Sequence, residues 1–234
     1  MKYMNSLIFF ISITFSSLLF SQVGIKYDIN ASNPSGVIAA MDKFNASSTG
    51  QAASGTVSLY QYVANGDNSA THAFLVSFPN FEEMQSTFTR NALSQDWASF
   101  LVEVNSASQQ VSSVMFRSTG INGGDASKVT SPNPTSYWTY ISASDPSAYA
   151  SAWQALIAQN TNVDFTAGLS EILAHGESNI THVLAQTAND LSSLLGTPNS
   201  DLNGWQEFAR SVSGTRVVIT RDVLTRVKRW TSSN

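Results

Sequence analysis

The sequence predicts an α+β fold made of two copies of one strand–helix–strand–strand–helix–strand unit, and three observations predict it. Val63 to His72 aligns without a gap on Leu173 to His182. Each copy is a strand end, a turn centred on Gly66 or Gly176, and a second strand opening on Thr-His (Thr71-His72, Thr181-His182). A helix-start signature, Ser32-Asn33-Pro34-Ser35, returns as Ser144-Asp145-Pro146-Ser147 at nearly the same offset. A spaced aromatic pair, Trp97 and Phe100, returns as Trp205 and Phe208. Cap, turn, Thr-His and aromatic pair recurring in the same order are the mark of internal duplication.

Met1 to Ser21 reads as a leader. Lys2 is the only early charge, Leu7 to Leu19 is apolar or hydroxylic, and Ser21-Gln22 offers a small residue for cleavage, the order of a secretory signal peptide. The apolar run is short for a span of about 20 residues; an uncleaved anchor helix is the competing reading. No later segment is long and apolar enough to span. The expected location is periplasmic or extracellular. With no cysteine, a lipid-anchored lipoprotein, a disulfide framework and thiolate chemistry are excluded. The net charge of −4 argues against nucleic acid as a partner. At 42% hydrophobic residues a sizeable core is expected.

Lys26 to Ser32 alternates, with Tyr27, Ile29 and Ala31 on one face and Lys26, Asp28 and Asn30 on the other, as in a half-buried strand. Asn33-Pro34 starts a helix whose buried stripe is Val37, Ile38, Met41 and Phe44. Thr56 to Val63 is a β-branched and aromatic strand, Asn65-Gly66 signals a two-residue hairpin turn, and His72 to Phe78 is the returning strand. Asn80 and Glu83 form a capping box for the next helix. That helix breaks near Asn91 to Ser94 and restarts with Trp97, Phe100, Leu101 and Val104 inward; Val111 to Arg117 is a fourth strand.

After a stretch rich in Gly, Ser, Pro and Asn, the order begins again. Trp138 to Ser142 is a strand, and Tyr149, Trp153, Leu156 and Ile157 make a helical stripe. Phe165 to Leu173 and His182 to Ala188 form a hairpin. Asp190 precedes a short helix stopped by Gly196-Thr197-Pro198, and a second helical piece carries Trp205 and Phe208. Arg216 to Thr220 is the last core strand. The layout is leader 1–21, first unit 22–118, linker 119–136 and second unit 137–234. Each unit has the ferredoxin-like split order.

The stretch Thr56 to Phe100 carries a resemblance: a long hairpin, a strand ending Ser77-Phe78, a short helix led by Phe81-Glu82-Glu83, a break, and a helix with Trp97 and Phe100. It resembles the dimeric α+β barrel superfamily, nearest the antibiotic-biosynthesis-monooxygenase-like branch. The resemblance implies two units packed sheet against sheet around a cavity, here fused into a single-chain barrel, a monomer with an internal pseudo-dimer. Its members include cofactor-free oxygenases, haem degraders, isomerases, peroxidase relatives and proteins without known chemistry, so fold alone does not select an activity. The haem degraders place an iron-ligating histidine on the second helix; neither Trp97 to Val111 nor Trp205 to Val212 contains one, and no bound cofactor is expected.

Period-two alternation makes Lys26, Asp28, Asn30, Trp138, Tyr140 and Ser142 candidates for the cavity wall, with a solvated strand end as the alternative for the first pair. A two- or four-residue turn places Gln61 on the face of His72 and Glu171 on the face of His182, whereas a three-residue turn would place Tyr60 and Ser170 there; Asn-Gly favours the two-residue turn. A carboxylate beside an imidazole raises its basicity, so Glu171 and His182 form the candidate acid/base pair. The alternative is that Thr-His is a strand-start device. Arg117 and Arg221 end the fourth strands and are candidates to meet an anionic ligand, with rim solvation as the alternative. His175, His182 and Glu177 match no metal-ligand spacing, and no metal site is expected. Half of the Lys and Arg lie late, which reads as a charged edge strand. The functional expectation is an exported barrel binding a small, partly apolar molecule, with cofactor-independent oxygenase- or isomerase-like chemistry. A non-catalytic envelope or extracellular interaction protein is the alternative. An enclosed pocket holding Glu171, His182, Tyr140 and Trp138 would separate the two.

Overall fold

The computed structural model describes residues 23–176, 179–196 and 198–231. The predicted leader, Glu177 and Thr197 lie outside the described residues. The first set of elements is β1 (Val23–Ala31), α1 (Pro34–Ala46), the one-turn α2 (Ser48–Gln51), β2 (Thr56–Ala64), β3 (His72–Phe78), α3 (Phe81–Ala92), α4 (Gln95–Ala107) and β4 (Ser108–Gly124). The second is β5 (Thr135–Ala143), α5 (Pro146–Ala158), β6 (Phe165–Ala174), β7 (His182–Ala188), α6 (Leu191–Leu195), α7 (Trp205–Ser211) and β8 (Arg216–Thr231).

All eight strands close into one antiparallel barrel in the order β1-β3-β2-β8-β5-β7-β6-β4. Two arcs, β4-β1-β3-β2 and β8-β5-β7-β6, each follow the order of a ferredoxin-like unit, and they join where β2 meets β8 and β4 meets β6. Closure leaves no unpaired edge among the described strands.

Side-chain caps fix the entry to α1, α5, α3 and α6. The Asn33 side chain accepts from the Gly36 N–H at 3.0 Å, and Asp145 from Ala148 at 2.9 Å. Asn80 accepts from Glu83 at 2.8 Å and Asp190 from Ser193 at 2.7 Å. Each satisfies a backbone donor that the first helical turn cannot.

The Thr-His pairs repeat one geometry. Thr71 Oγ1 accepts from the Ala31 N–H at 2.9 Å and lies 2.9 Å from His72 Nδ1. Thr181 Oγ1 accepts from the Ala143 N–H at 3.0 Å and lies 2.9 Å from His182 Nδ1. Each threonine thus ties the end of one strand to the start of another. Thr181→Ala is expected to cost about 1–3 kcal/mol, because a buried imidazole and a strand-end N–H both lose a partner. Equilibrium urea unfolding checks this, and a loss below a few tenths of a kcal/mol would remove the bracing role.

The alternation of β1 and β5 sorts the faces as read. Ile29, Leu59 and Phe74 pack outward against Val37, Met41 and Phe44 of α1 and Phe100 and Val104 of α4. Ile141, Leu169 and Leu184 pack outward against Tyr149, Trp153 and Leu156 of α5 and Phe208 of α7. Tyr60, Val114, Phe116, Trp138, Tyr140, Val183 and Leu224 meet inside the barrel. The space expected to be a cavity between the two sheets is therefore occupied by side chains.

Four expectations are corrected. Asn30 is exposed, because β1 has reached the barrel rim there. The hairpin registers Gln61↔His72 and Glu171↔His182 are as predicted, but the first loop is longer than two residues. Asn65 spans it, donating to the carbonyls of Asn68 (3.1 Å) and Ala70 (2.8 Å), and of Asn65 and Gly66 only Gly66 takes positive φ. The linker yields its first residues to β4, where Gly123 pairs with Ala167 and Gly124 with Thr166, and its last two to β5. The basic C-terminal strand is not an edge: β8 pairs with β2 on one side and β5 on the other.

Candidate functional site

Two places in this architecture concentrate chemistry. The first is inside the barrel. Lys26 is 3% exposed and its ammonium donates to Asp222 Oδ2 at 3.0 Å and to Tyr140 Oη at 3.0 Å, with Asp28 Oδ1 2.9 Å away. Tyr62 donates to Asp28 Oδ1 at 2.6 Å and Ser112 donates to Asp28 Oδ2 at 2.7 Å. The ammonium also lies 5.2–5.6 Å from the ring centres of Tyr62, Tyr140 and Trp138. Burial opposes the charge on Lys26, yet its neighbours Tyr140, Tyr62, Asp222 and Asp28 hold its pKa well above the ordinary value. The two aspartates diverge. Burial pushes both up, but Lys26, Tyr62 and Ser112 together bring Asp28 below the usual range. Asp222 has Lys26 alone on its side and stays raised.

The second place is a cavity of about 280 Å³ between the outer face of the first arc and α1, α3 and α4. Tyr27, Phe44, Phe74, Phe88, Trp97 and Phe100 are among the aromatic residues of its wall. Phe44, Trp97 and Phe100 form a mutual cluster with ring centres 5.1–5.2 Å apart. Polar atoms come from Thr87, Asn91, Asn105 and Gln110. Asn91 is 8% exposed, and its Oδ1 has no hydrogen-bond partner. An unsatisfied buried carbonyl costs about 1–3 kcal/mol, so its presence in a cavity wall calls for an explanation.

The positions of α1 beside this cavity are filled differently in the second arc. With Asn33 aligned on Asp145, Val37 and Met41 fall on Tyr149 and Trp153. Those two are each 2% exposed and packed on Phe208. A tryptophan thus stands in the second arc where the cavity-lining Met41 stands in the first.

The sequence-predicted residues separate into groups. Lys26, Asp28, Trp138 and Tyr140 come together in the lumen. Glu171 and His182 are register partners on the outer, helix-covered face, so they do not share a pocket with Trp138 and Tyr140. His182 lies under the Tyr149 ring at 5.6 Å. Burial lowers its pKa, and the opposing pull of Glu171 does not offset that; the expected rise in basicity is reversed. Glu171 is ion-paired with Arg117 on the neighbouring strand, half-exposed on the same outer face. His72 sits on the outer face of the first arc, its pKa also lowered by burial, with Gln61 exposed beside it. Arg221 is exposed opposite Thr139. The His175 ring lies 6.1 Å from that of Tyr140.

Sequence reasoning does not reach Asp222, Tyr62, Ser112 or Asn91. Asp222 and Leu224 alternate with Arg221 and Val223, a period-two signal hidden by the basic character of the segment. The haem-ligating histidine that the resemblance implies for some members has no counterpart in the cavity wall, which carries neither histidine nor cysteine among the described residues.

No family model matches the chain, and no curated protein matches it. Solved structures do. A candidate monooxygenase from Lactobacillus acidophilus NCFM superposes with a TM-score of 0.57 at 12% identity, covering 90% of this chain and 95% of its own. An anthrone oxidase-like protein gives 0.57 at 8% identity, covering 91% and 94%. A mutant chlorite dismutase from Candidatus Nitrospira defluvii gives 0.53 at 10% identity, covering 89% and 92%. At these identities the likeness shows the fold alone, an α+β barrel shared over about nine-tenths of this chain.

Proposed function

We propose that this chain, two fused ferredoxin-like units exported by its leader, binds a small, largely aromatic molecule in the cavity beneath α1, α3 and α4. The carrying observation is the buried, unpartnered Asn91 carbonyl in a largely apolar, aromatic-rich wall. A ligand with one hydroxyl or N–H group directed at Asn91 and a flat apolar body against Trp97, Phe44 and Phe100 satisfies both features. The monooxygenase-like and anthrone oxidase-like neighbours support an oxygenase-like reading of the site, in which an electron-rich ring is held dry and oriented and needs no bound cofactor. Closure of the barrel within one chain supports a monomer. For Glu171, His182, His72 and Arg117 the geometry favours bracing of the outer face over catalysis. The packed lumen favours an architectural role for that space alone.

Trp97 provides the test. Titration with anthrone as the probe, whose enol tautomer carries the hydroxyl from which Asn91 would accept, is expected to quench tryptophan fluorescence saturably, and oxygen uptake then separates turnover from binding. Asn91→Leu is expected to weaken binding about tenfold, roughly 1.4 kcal/mol, while leaving the fold intact. Equal affinity in the variant would remove Asn91 from the site, and no saturable quenching by any flat phenolic probe would leave the interaction-protein reading standing. Amino-terminal sequencing of the exported protein, expected to start at Gln22, tests the leader.

A further inference from the structure

We propose that Lys26 and Asp222 condense into an intramolecular amide, a covalent cross-link through the barrel lumen. The cross-link is independent of the ligand cavity. The two residues are 196 positions apart, on β1 and β8, which are not neighbours in the sheet, so the bond would join the first strand to the last across the interior.

The geometry supplies what such a condensation needs. The nucleophilic atom is in place, since Lys26 Nζ is 3.0 Å from Asp222 Oδ2. The site is dry: Lys26 and Asp222 are each 3% exposed and Asp28 is 5% exposed. A second carboxylate stands at the amine, Asp28 at 2.9 Å, fixed on its far side by Tyr62 and Ser112. Trp138, Tyr62 and Tyr140 wall the amine off from water; their faces favour the ammonium, so the neutral amine arises only transiently, by proton transfer to Asp222, whose carboxyl is raised by burial. Lys26 is the one side chain that donates to Asp222 among the described residues, whereas Lys26, Tyr62 and Ser112 all hold Asp28, so Asp222 is the acid free to react.

The step balances without an oxidant or a co-reactant. A proton passes from the Lys26 ammonium to Asp222 along their hydrogen bond. The amine lone pair then attacks Asp222 Cγ, forming the C–N bond. The Asp28 carboxylate takes the surplus proton from Nζ and returns it to the departing hydroxyl. The C–O bond breaks, one water leaves, and a neutral amide remains beside an ionised Asp28. A charged pair is thereby replaced by a group that needs far less solvation. In a chain without cysteine, this would fix the barrel as a disulfide does elsewhere.

The composition of the two arcs fits a lumen specialised on one side. With Asn33 aligned on Asp145, Lys26 and Asp28 fall on Trp138 and Tyr140. Trp138 pairs with Asp222 across β5 and β8, and Lys26 pairs with Val114 across β1 and β4, so Val114 holds in the first arc the place of Asp222 in the second. The amine and carboxyl therefore have no polar duplicate, and their counterparts supply the apolar walls around them.

Intact mass spectrometry of the purified, folded protein decides the matter. The expected mass is that of the polypeptide, from its observed first residue, less one water. Proteolysis should release a branched peptide joining Lys26 to Asp222. Lys26→Arg should restore the full mass and slow migration on a denaturing gel. Asp28→Asn, which keeps both reacting groups, should also leave the mass undiminished. If that variant fails to fold, the wild-type mass and branched peptide still decide. A wild-type mass equal to that of the sequence overturns the proposal, as does a water loss that maps elsewhere. A link that forms in Asp28→Asn overturns the relay assigned to Asp28.

Discussion

Lys26→Met is expected to destabilise the protein by about 3–5 kcal/mol at neutral pH, the cost of leaving buried charge without its partner. The methionine keeps most of the lysine's length, so packing changes little and electrostatics dominate. Asp28 retains Tyr62 and Ser112, but Asp222 loses the partner that opposes its burial. The Asp222 carboxyl, already raised by burial, is then held further above its unfolded value. A carboxyl raised in this way leaves stability intact below the unfolded range, near about 4, and withdraws it as pH rises through the folded value. The variant is therefore most stable in mild acid and weakens toward neutrality. Denaturant midpoints measured across that window check the sign, and a deficit independent of pH would mean that packing, not charge, carries the loss. The direction of the loss is the same whether Lys26 acts as a cation or as one end of a covalent link, so the experiment tests the network and not the bond.

The sequence makes some of this legible and hides the rest for identifiable reasons. Lys26 and Asp28 belong to the barrel interior because a strand alternates with period two and Tyr27 and Ile29 face the helices. The same parity argument pairs Gln61 with His72 and Glu171 with His182 correctly, but parity gives relative faces only. The absolute face comes from the contacts Ile29↔His72 and Ile141↔His182, between strands distant in sequence. Gly123 and Gly124 read as flexible linker, yet β4 continues through them. An added Cβ on Gly123 would lie 2.7 Å from Ile157 Cβ, and Gly124 takes φ +80° with the Phe165 carbonyl close by. These glycines allow close approach of α5 and β6, a demand that appears only once the barrel is closed. Asp222 is masked by its basic neighbours. The cavity is masked by its nature as an absence: Met41 looks like an ordinary core residue until Trp153 shows a far larger side chain at the same position of the repeat.

That comparison yields the sharpest test of where a ligand sits. Met41→Trp, which places in the first arc the residue found at position 153, is expected to abolish anthrone binding, weakening it at least about 100-fold, or roughly 2.8 kcal/mol. Met41 is 5% exposed and lines the cavity, so an indole there must project into the void beside Trp97 and Phe100. Overpacking a full core typically costs about 1–3 kcal/mol, but here the added volume enters space already empty, and the melting temperature should hold or rise. The converse change, Trp153→Met, should open a void under α5 at a cost of about 3–5 kcal/mol, the range for deleting a large aromatic from a core. It leaves the anthrone site untouched. A Met41→Trp variant that binds as tightly as the parent, with its fold intact, would place the ligand elsewhere on the protein. Loss of binding together with a retained or raised melting temperature is the result expected when the ligand and the new ring compete for one volume.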